Sequence, residues 1–287
     1  MQYVMENEAL KVTIDSHGAE LASVIDISDG REYIWQAQPD VWKRHAPVLF
    51  PIVGKCVNGQ YTYDGTSYRL GQHGFARDME FELVNKDSDS IVMRLVSDDR
   101  TKGVYPFDFE LFCMYELYGN TVTTEWRVVN SGNSQMYFSI GGHPAYIMDG
   151  SLVGKKLVFE DAKGKLQYKL LDENGVVAPD MHELKLTDNA VVMDDKLFED
   201  DALIIEDNQC HSVILADGDK PVVKVTFDAP VFGLWSARTD IPFVCIEPWY
   251  GRADASDSDG DFTKKEWIQK LDAGEEFQKG FTTYFYK

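Results

Sequence analysis

The chain of 287 residues holds only four cysteines, Cys56, Cys113, Cys210 and Cys245, and no two of them form a Cys-x-x-Cys pair. Spacing this wide argues against a disulfide framework and against a structural zinc site. Cys113 and Cys245 stand instead inside apolar, strand-like runs, where a thiol is a small hydrophobe. Basic charge is also scarce. Lysine and arginine number 28 against 48 aspartates and glutamates, for a net charge of -20. A nucleic-acid binder must present a basic face to phosphate, and an anionic membrane surface asks for the same sign, so neither partner is expected. A soluble protein kept apart by self-repulsion fits this balance, as would an acidic cleft for a cationic ligand. No apolar run approaches the roughly 18 residues that span a bilayer. The N-terminal MQYVMENEALKV has no basic stretch leading into an apolar one, which makes the cytoplasm the expected location. Walker loops, dinucleotide fingerprints and G-x-S-x-G elbows are missing too.

What the chain does have is alternation. Period-two alternation is read over Leu10 to Ile14, where it is strict, and more loosely over Ile91 to Val96, Phe109 to Leu117, Thr121 to Val129, Val213 to Leu215 and Val222 to Phe227. Runs of this kind, rich in β-branched and aromatic residues, read as strands. Turn signals separate them, among them Asn58-Gly59, Asp64-Gly65, Gly119-Asn120 and Asp217-Gly218-Asp219. One short helix is expected over Lys264 to Leu271. The polar interval Glu160 to Asp201 reads as an insertion of hairpins and loops. Hydrophobic residues at 44% and charged residues at 26% are an ordinary globular balance. With no internal repeat, the expectation is an all-β chain, a large antiparallel β-sandwich with few short helices, forming one domain over residues 1–287.

Several local settings could carry chemistry. Gly141-Gly142-His143-Pro144 follows the strand-like Met136 to Ile140. Glycines before the histidine let the backbone approach a ligand, and the proline fixes the exit. Gln72-His73-Gly74-Phe75-Ala76-Arg77 sets a second histidine among small residues. Either histidine could serve as a general acid or base, or could be a turn residue bonded to backbone. In Phe243-Val244-Cys245-Ile246-Glu247-Pro248-Trp249 a carboxylate follows four apolar residues. Desolvation there raises a carboxyl pKa toward the range useful for proton transfer, unless an arginine partner makes the residue a structural bridge. Trp249 offers a sugar an aromatic face. Arg44 and Arg77 have apolar or small neighbours and suit sugar hydroxyls or a phosphate, or a bridge to a nearby strand. The acidic run Asp254 to Asp261 resembles a calcium loop, but Lys265 falls where an EF-hand places glutamate, and a solvated loop is expected. His17, His182 and His211 read as surface residues.

Five blocks, RHAPVLFP at 44–51, QHGFAR at 72–77, GGHPAY at 141–146, DDALI at 200–204 and IEPW at 246–249, occur in one order along the chain. Together they resemble the aldose 1-epimerase (galactose mutarotase-like) superfamily, above all its LacX-like subgroup. The resemblance implies a large antiparallel β-sandwich with a sugar site on a concave face, no metal and no cofactor. It implies His143 as general acid, Glu247 as general base, and His73, Arg44, Asp201 and Trp249 as substrate-binding residues. Asp200 is the neighbouring choice to Asp201. Arg77 resembles an arginine that meets phosphate in the hexose-6-phosphate branch. The GRxANRI block of galactose mutarotases is missing, so galactose itself is not implied. The expected partner is a monosaccharide, a hexose that is phosphorylated or free, and the protein is expected as a monomer or homodimer. A non-catalytic sugar-binding or sensor module and a glycoside hydrolase using Glu247 with Asp201 are the alternatives.

Overall fold

The strand Thr121–Asn130 illustrates how the sequence builds the fold. Its even-numbered side chains, from Val122 through Trp126 to Asn130, are buried, while the odd-numbered ones face outward and stay partly exposed. Val122, Trp126 and Val128 enter the core on one face of a sheet, as a period of two requires. Removing each such side chain from water contributes about 1.5–3 kcal/mol. A computed structural model describes all 287 residues. Strands hold 48% of them and helices 5%, so the all-β expectation holds.

The larger sheet has nine strands, each antiparallel to its neighbours. Their order is Ala190–Val192, Lys156–Phe159, Ser212–Asp217, Lys220–Phe227, Glu276–Phe285, Thr121–Asn130, Phe109–Tyr118, Ser90–Val96 and Glu82–Lys86. A six-stranded sheet runs Leu203–Ile205, Val231–Trp235, Phe243–Tyr250, Ile140–Gly142 and Val48–Leu49, with Ala145–Ile147 also paired to Phe243–Tyr250. One apolar core takes Trp126, Val128 and Phe281 from the first sheet and Ile140, Val244, Ile246 and Tyr250 from the second. A three-stranded sheet, Gln2–Glu6, Leu10–Asp15 and Glu20–Asp26, adds Met5, Leu10, Val12 and Val24 to that core. No helix is long and apolar enough to cross a membrane.

Phe243–Tyr250 is buried along its whole length because both its faces are covered. Val244, Ile246 and Tyr250 point into the main core. Phe243 and Cys245, out of phase with them, pack against Trp35 and Ala145 on the other face. Glu247 continues that second series, and so does Trp249. The carboxylate therefore emerges on the face of the small sheet turned away from the main core.

Two sequence expectations need correction. The helix expected over Lys264 to Leu271 does not form. A 3-10 turn covers Phe262–Lys264, Trp267 takes a left-handed φ of 61°, and Gln269–Leu271 is a strand paired with Met136–Phe138. A left-handed residue ends a helical path, and pairing with the Met136 strand satisfies the backbone instead. The acidic run is not wholly a solvated loop either, since Asp254 is buried against Lys265. The interval Glu160 to Asp201 does contain the expected hairpin, Lys165–Tyr168 with His182–Lys185, and Ala190–Val192 from it extends the large sheet.

Candidate active site

The face of the six-stranded sheet turned away from the main core carries a cavity of about 240 Å³. That is slightly below the usual range of about 300–1,000 Å³ for drug-sized ligands, which suits a molecule the size of a monosaccharide. His73, Arg77, His143, Asp201, Glu247 and Trp249 all line it. Asp201, with a left-handed φ of 74°, reaches the wall, and Asp200 does not. Arg44 stays outside the lining. Its guanidinium pairs with Asp78 at 2.8 Å and donates to the Arg77 carbonyl at 3.3 Å. From there it steadies the Arg77 backbone and adds positive potential at both histidines.

His143 and Glu247 meet at the centre, with Nε2 and Oε2 3.3 Å apart. Glu247 is 1% exposed and His143 9%. The sheet register brings them together, because Gly141 lies opposite Trp249 and Gly233 opposite Glu247. The two glycines also make room for the Trp249 indole. A Cβ on Gly141 would lie 2.5 Å from the Trp249 ring, and one on Gly233 would lie equally close to its far edge. Trp42 stacks on the His143 imidazole at 4.9 Å, and Trp235 meets it edge-on at 5.6 Å. These aromatic neighbours keep water from the ring.

Desolvation dominates the electrostatics. Burial pushes the Glu247 carboxyl well above its ordinary value, and the Asp201 charge pushes it further, while the nearby Trp249 N–H works in the opposite sense. Burial pushes His143 down to about 3; its own backbone carbonyl opposes that shift and the Arg77 and Arg44 charges add to it. In the free protein these directions favour the carboxyl over the imidazole as the seat of a proton shared by the pair. That differs from the expectation of a histidine charged at the outset. The two forms, acid with imidazole and carboxylate with imidazolium, have the same proton count and differ by one transfer across 3.3 Å.

His73 is a different kind of histidine. It sits at φ 63°, and its Nδ1 accepts the Gly54 N–H at 3.0 Å. A ring nitrogen that accepts carries no proton, so the neutral ring keeps its proton on Nε2 as a donor. Burial, followed by His143, Arg77, Arg44 and Lys55, holds its pKa well below the ordinary value. Arg77 itself falls to about 10, from burial first and then from Arg44. Among the buried polar atoms with no hydrogen bond inside the protein, Arg77 Nε, His143 Nδ1, Glu247 Oε2 and Trp249 Nε1 all belong to residues of this cavity, and the 3.3 Å approach of Oε2 to His143 Nε2 is an ion-pair contact without hydrogen-bond geometry. Buried polar groups normally have partners, so such a cluster fits a ligand rich in hydroxyls.

His143, Cys245 and Glu247 also bring three possible metal-binding atoms within 4.8 Å of one another. Nitrogen, sulfur and oxygen together would suit a soft divalent ion. Cys245, however, packs in an apolar cluster with Trp35, Ala145 and Phe243 and does not line the cavity. The donor set fits a metal poorly.

Sequence reasoning missed Trp42, Trp235, Gln72, Leu171 and Gly175, all in the lining. Gln72 stood inside a block already singled out. Leu171 and Gly175 come from the inserted interval, and nothing local marked them.

A family model described as aldose 1-epimerase matches residues 1–268. Protein LacX, plasmid, of Lactococcus lactis subsp. lactis is 29% identical over 289 residues, covering 94% of this chain and 95% of its own. Among solved structures, a galactose mutarotase related enzyme from Lactobacillus acidophilus is 38% identical, with a TM-score of 0.94 over 100% of this chain and 98% of the other. A galactose mutarotase-like protein from Lactobacillus casei ATCC 334 is 26% identical, with the same TM-score over 100% of both chains.

Proposed function

The chain belongs to the aldose 1-epimerase family, and from that premise we propose that it interconverts the α and β anomers of a hexose by acid–base ring opening and closure. The observation that carries this reading is the His143–Glu247 pair, 3.3 Å apart in a cavity of monosaccharide size. The reaction needs one proton taken from the C1 hydroxyl and one given to the ring oxygen. In the reactive form Glu247 is the carboxylate and His143 the imidazolium, reached from the resting pair by the internal transfer. Glu247 takes the hydroxyl proton while His143 protonates the ring oxygen, and the C1–ring oxygen bond breaks to leave an open-chain aldehyde. Rotation about C1–C2 presents the other face of the carbonyl, and closure reverses both transfers. The protein ends with the protons it began with, and no cofactor is consumed. Each transfer accounts for about 10²- to 10⁴-fold in rate.

His73 supports the reaction as a neutral Nε2–H donor to the ring oxygen or a neighbouring hydroxyl. Arg77 and Asp201 bond hydroxyls further round the ring, Trp249 gives the sugar an apolar face, and Arg44 acts through Arg77. A fixed set of donors aimed at developing charge lowers the barrier without reorganising. The ligand is a monosaccharide and the setting the cytoplasm.

One observation favours a phosphorylated hexose over a free one. Arg77 Nε is buried and unpaired at the cavity, and the charges of Arg44 and Lys55 also reach His73. Polarimetry on freshly dissolved α-anomers of glucose, galactose and glucose 6-phosphate tests both readings. The protein should speed the approach to rotational equilibrium for at least one of them. A sugar that binds yet is never anomerised faster than in buffer would leave only a binding protein.

A further inference from the structure

The segment Arg252-Ala253-Asp254 follows the strand bearing Glu247 and begins the acidic run. Asp254 is 4% exposed and does not touch the cavity. Its Oδ1 accepts from Lys265 Nζ at 2.5 Å, and Lys265 is itself buried. Its Oδ2 accepts the Val57 N–H at 2.9 Å, and its own N–H donates to the Lys55 carbonyl at 2.9 Å. Its carbonyl accepts the Val177 N–H at 2.8 Å. One residue thus binds two chain segments that are distant from it in sequence.

Both segments lead to the site. The 54–57 stretch begins with Gly54, whose N–H holds His73 Nδ1 at 3.0 Å and whose carbonyl accepts the His73 N–H at 2.7 Å. Gly54 stands at φ 69° against Ala253, so closely that a Cβ would lie 2.5 Å from the alanine methyl. The direction of the Gly54 N–H is therefore set by where residues 253 and 254 hold the backbone. Val177 closes the turn that carries Leu171 and Gly175 into the cavity wall, a turn tied by Asp172 N–H to the Val176 carbonyl at 2.8 Å and by Ala178 N–H to the Leu170 carbonyl at 2.9 Å.

We propose that the buried Asp254–Lys265 pair is a positioning device, which holds the Gly54 N–H against His73 Nδ1 and so keeps His73 as the Nε2–H tautomer, while docking the Leu171–Gly175 wall to the same point. Asp254 is a positioning residue, since it acts on the sugar only through others. A buried carboxylate facing a buried ammonium has one good geometry, and its remaining oxygen is spent on a backbone N–H, so the segment has little freedom to slide. Second-layer partners of this kind commonly decide which nitrogen of a histidine carries the proton. The kinetic part rests on the proposed anomerase reading; the tautomer part does not.

The test labels the histidines with 15N and reads, by long-range proton–nitrogen correlation, which ring nitrogen of His73 is protonated. A His73→Gln variant assigns the signal. In the unmodified protein Nδ1 should be unprotonated and Nε2 protonated, and the opposite tautomer overturns the proposal without any variant. Asp254→Asn keeps the shape and an oxygen for Val57 but removes the charge facing Lys265. Asp254→Asn with Lys265→Met removes both charges and is read where the single variant fails to fold. In a folded variant the two tautomers should mix, and kcat should fall about 10- to 100-fold with KM within about threefold, as expected when a site group is misplaced by a fraction of an ångström to an ångström. Lys265→Arg should restore the single tautomer and most of kcat. A folded variant with one Nε2–H tautomer and unmodified kcat defeats the idea. Should the unmodified protein not anomerise any sugar, the function reading falls, and the tautomer result alone decides this one.

Discussion

Replacing Glu247 by glutamine changes one atom in the pair that carries the proposed reaction. The amide has the shape of the protonated carboxyl but cannot accept the C1 hydroxyl proton. No cation is left unpaired by the change, because the nearest ionisable partner is the His143 imidazole, which burial holds neutral down to about pH 3. Loss of the base should therefore cut kcat by about 10²- to 10⁴-fold, which is about 2.7 to 5.4 kcal/mol of barrier at 1.36 kcal/mol per decade. KM should change little, since the hydroxyl contacts of His73, Arg77 and Asp201 remain. Stability should move the other way. Burial raises the folded-state pKa of Glu247 above its unfolded value, so the stability it contributes is complete below about pH 4.5 and is lost as pH rises through the raised folded value. Glutamine never ionises, so its melting temperature should match that of the parent near pH 4.5 and exceed it increasingly toward alkaline pH. Stopped polarimetry gives the first comparison and thermal melts at three pH values the second. A glutamine variant within tenfold of the parent rate, or one that melts below it at pH 8, would refute the role assigned to this carboxyl.

Trp42→Leu should let water reach the His143 ring it now covers at 4.9 Å. The depressed His143 pKa then moves up toward its ordinary value, so the acid limb of the activity profile shifts to higher pH, with the alkaline limb, set by the raised Glu247 carboxyl, moving less. An unmoved acid limb would mean that the limb belongs to another group. Gly233→Ala places a methyl 2.5 Å from the Trp249 indole, which Gly141 blocks on its other side. Overpacking of this kind costs about 1–3 kcal/mol. It should lower Tm by several degrees and reduce kcat, both measured on the purified variant; unchanged values would mean that the indole is free to move. Arg77→Met removes a guanidinium whose Nε has no hydrogen-bond partner at the cavity, though its terminal nitrogen donates to the Gln72 carbonyl at 2.6 Å. If a phosphorylated hexose is the substrate, KM for glucose 6-phosphate should rise at least tenfold while that for glucose changes little, and equal changes would remove the support for an anionic substrate.

Much of the fold was legible because strands write their burial locally. The alternation in Thr121 to Val129 needs no distant partner to be recognised, and the strand appears over Thr121–Asn130. Glu247 was legible for a related reason. It interrupts an apolar run at a position in phase with Phe243 and Cys245, so the chain must bury it on the face that those residues occupy. Trp42, Trp235 and Leu171 had no such signal, since each reaches the cavity through packing between segments far apart in sequence. The helix expected over Lys264 to Leu271 failed because the alternative, pairing with Met136–Phe138, lies some 130 residues away and no local propensity records it.

Charge shows the same limit more sharply. Asp254 sits in a stretch so acidic that solvent was its natural assignment, yet Lys265 buries it by supplying one opposite charge at the right point. The net charge of -20 likewise says little about the cavity. At physiological salt, exposed charges are largely screened beyond about 8 Å, so the many surface carboxylates barely act there. His73 feels Arg77, Arg44 and Lys55 instead, three cations from separate positions along the chain. The charges that act on His73 can therefore be positive in a strongly acidic protein. Raising the salt concentration should accordingly weaken a phosphorylated ligand's binding far more than that of a neutral hexose.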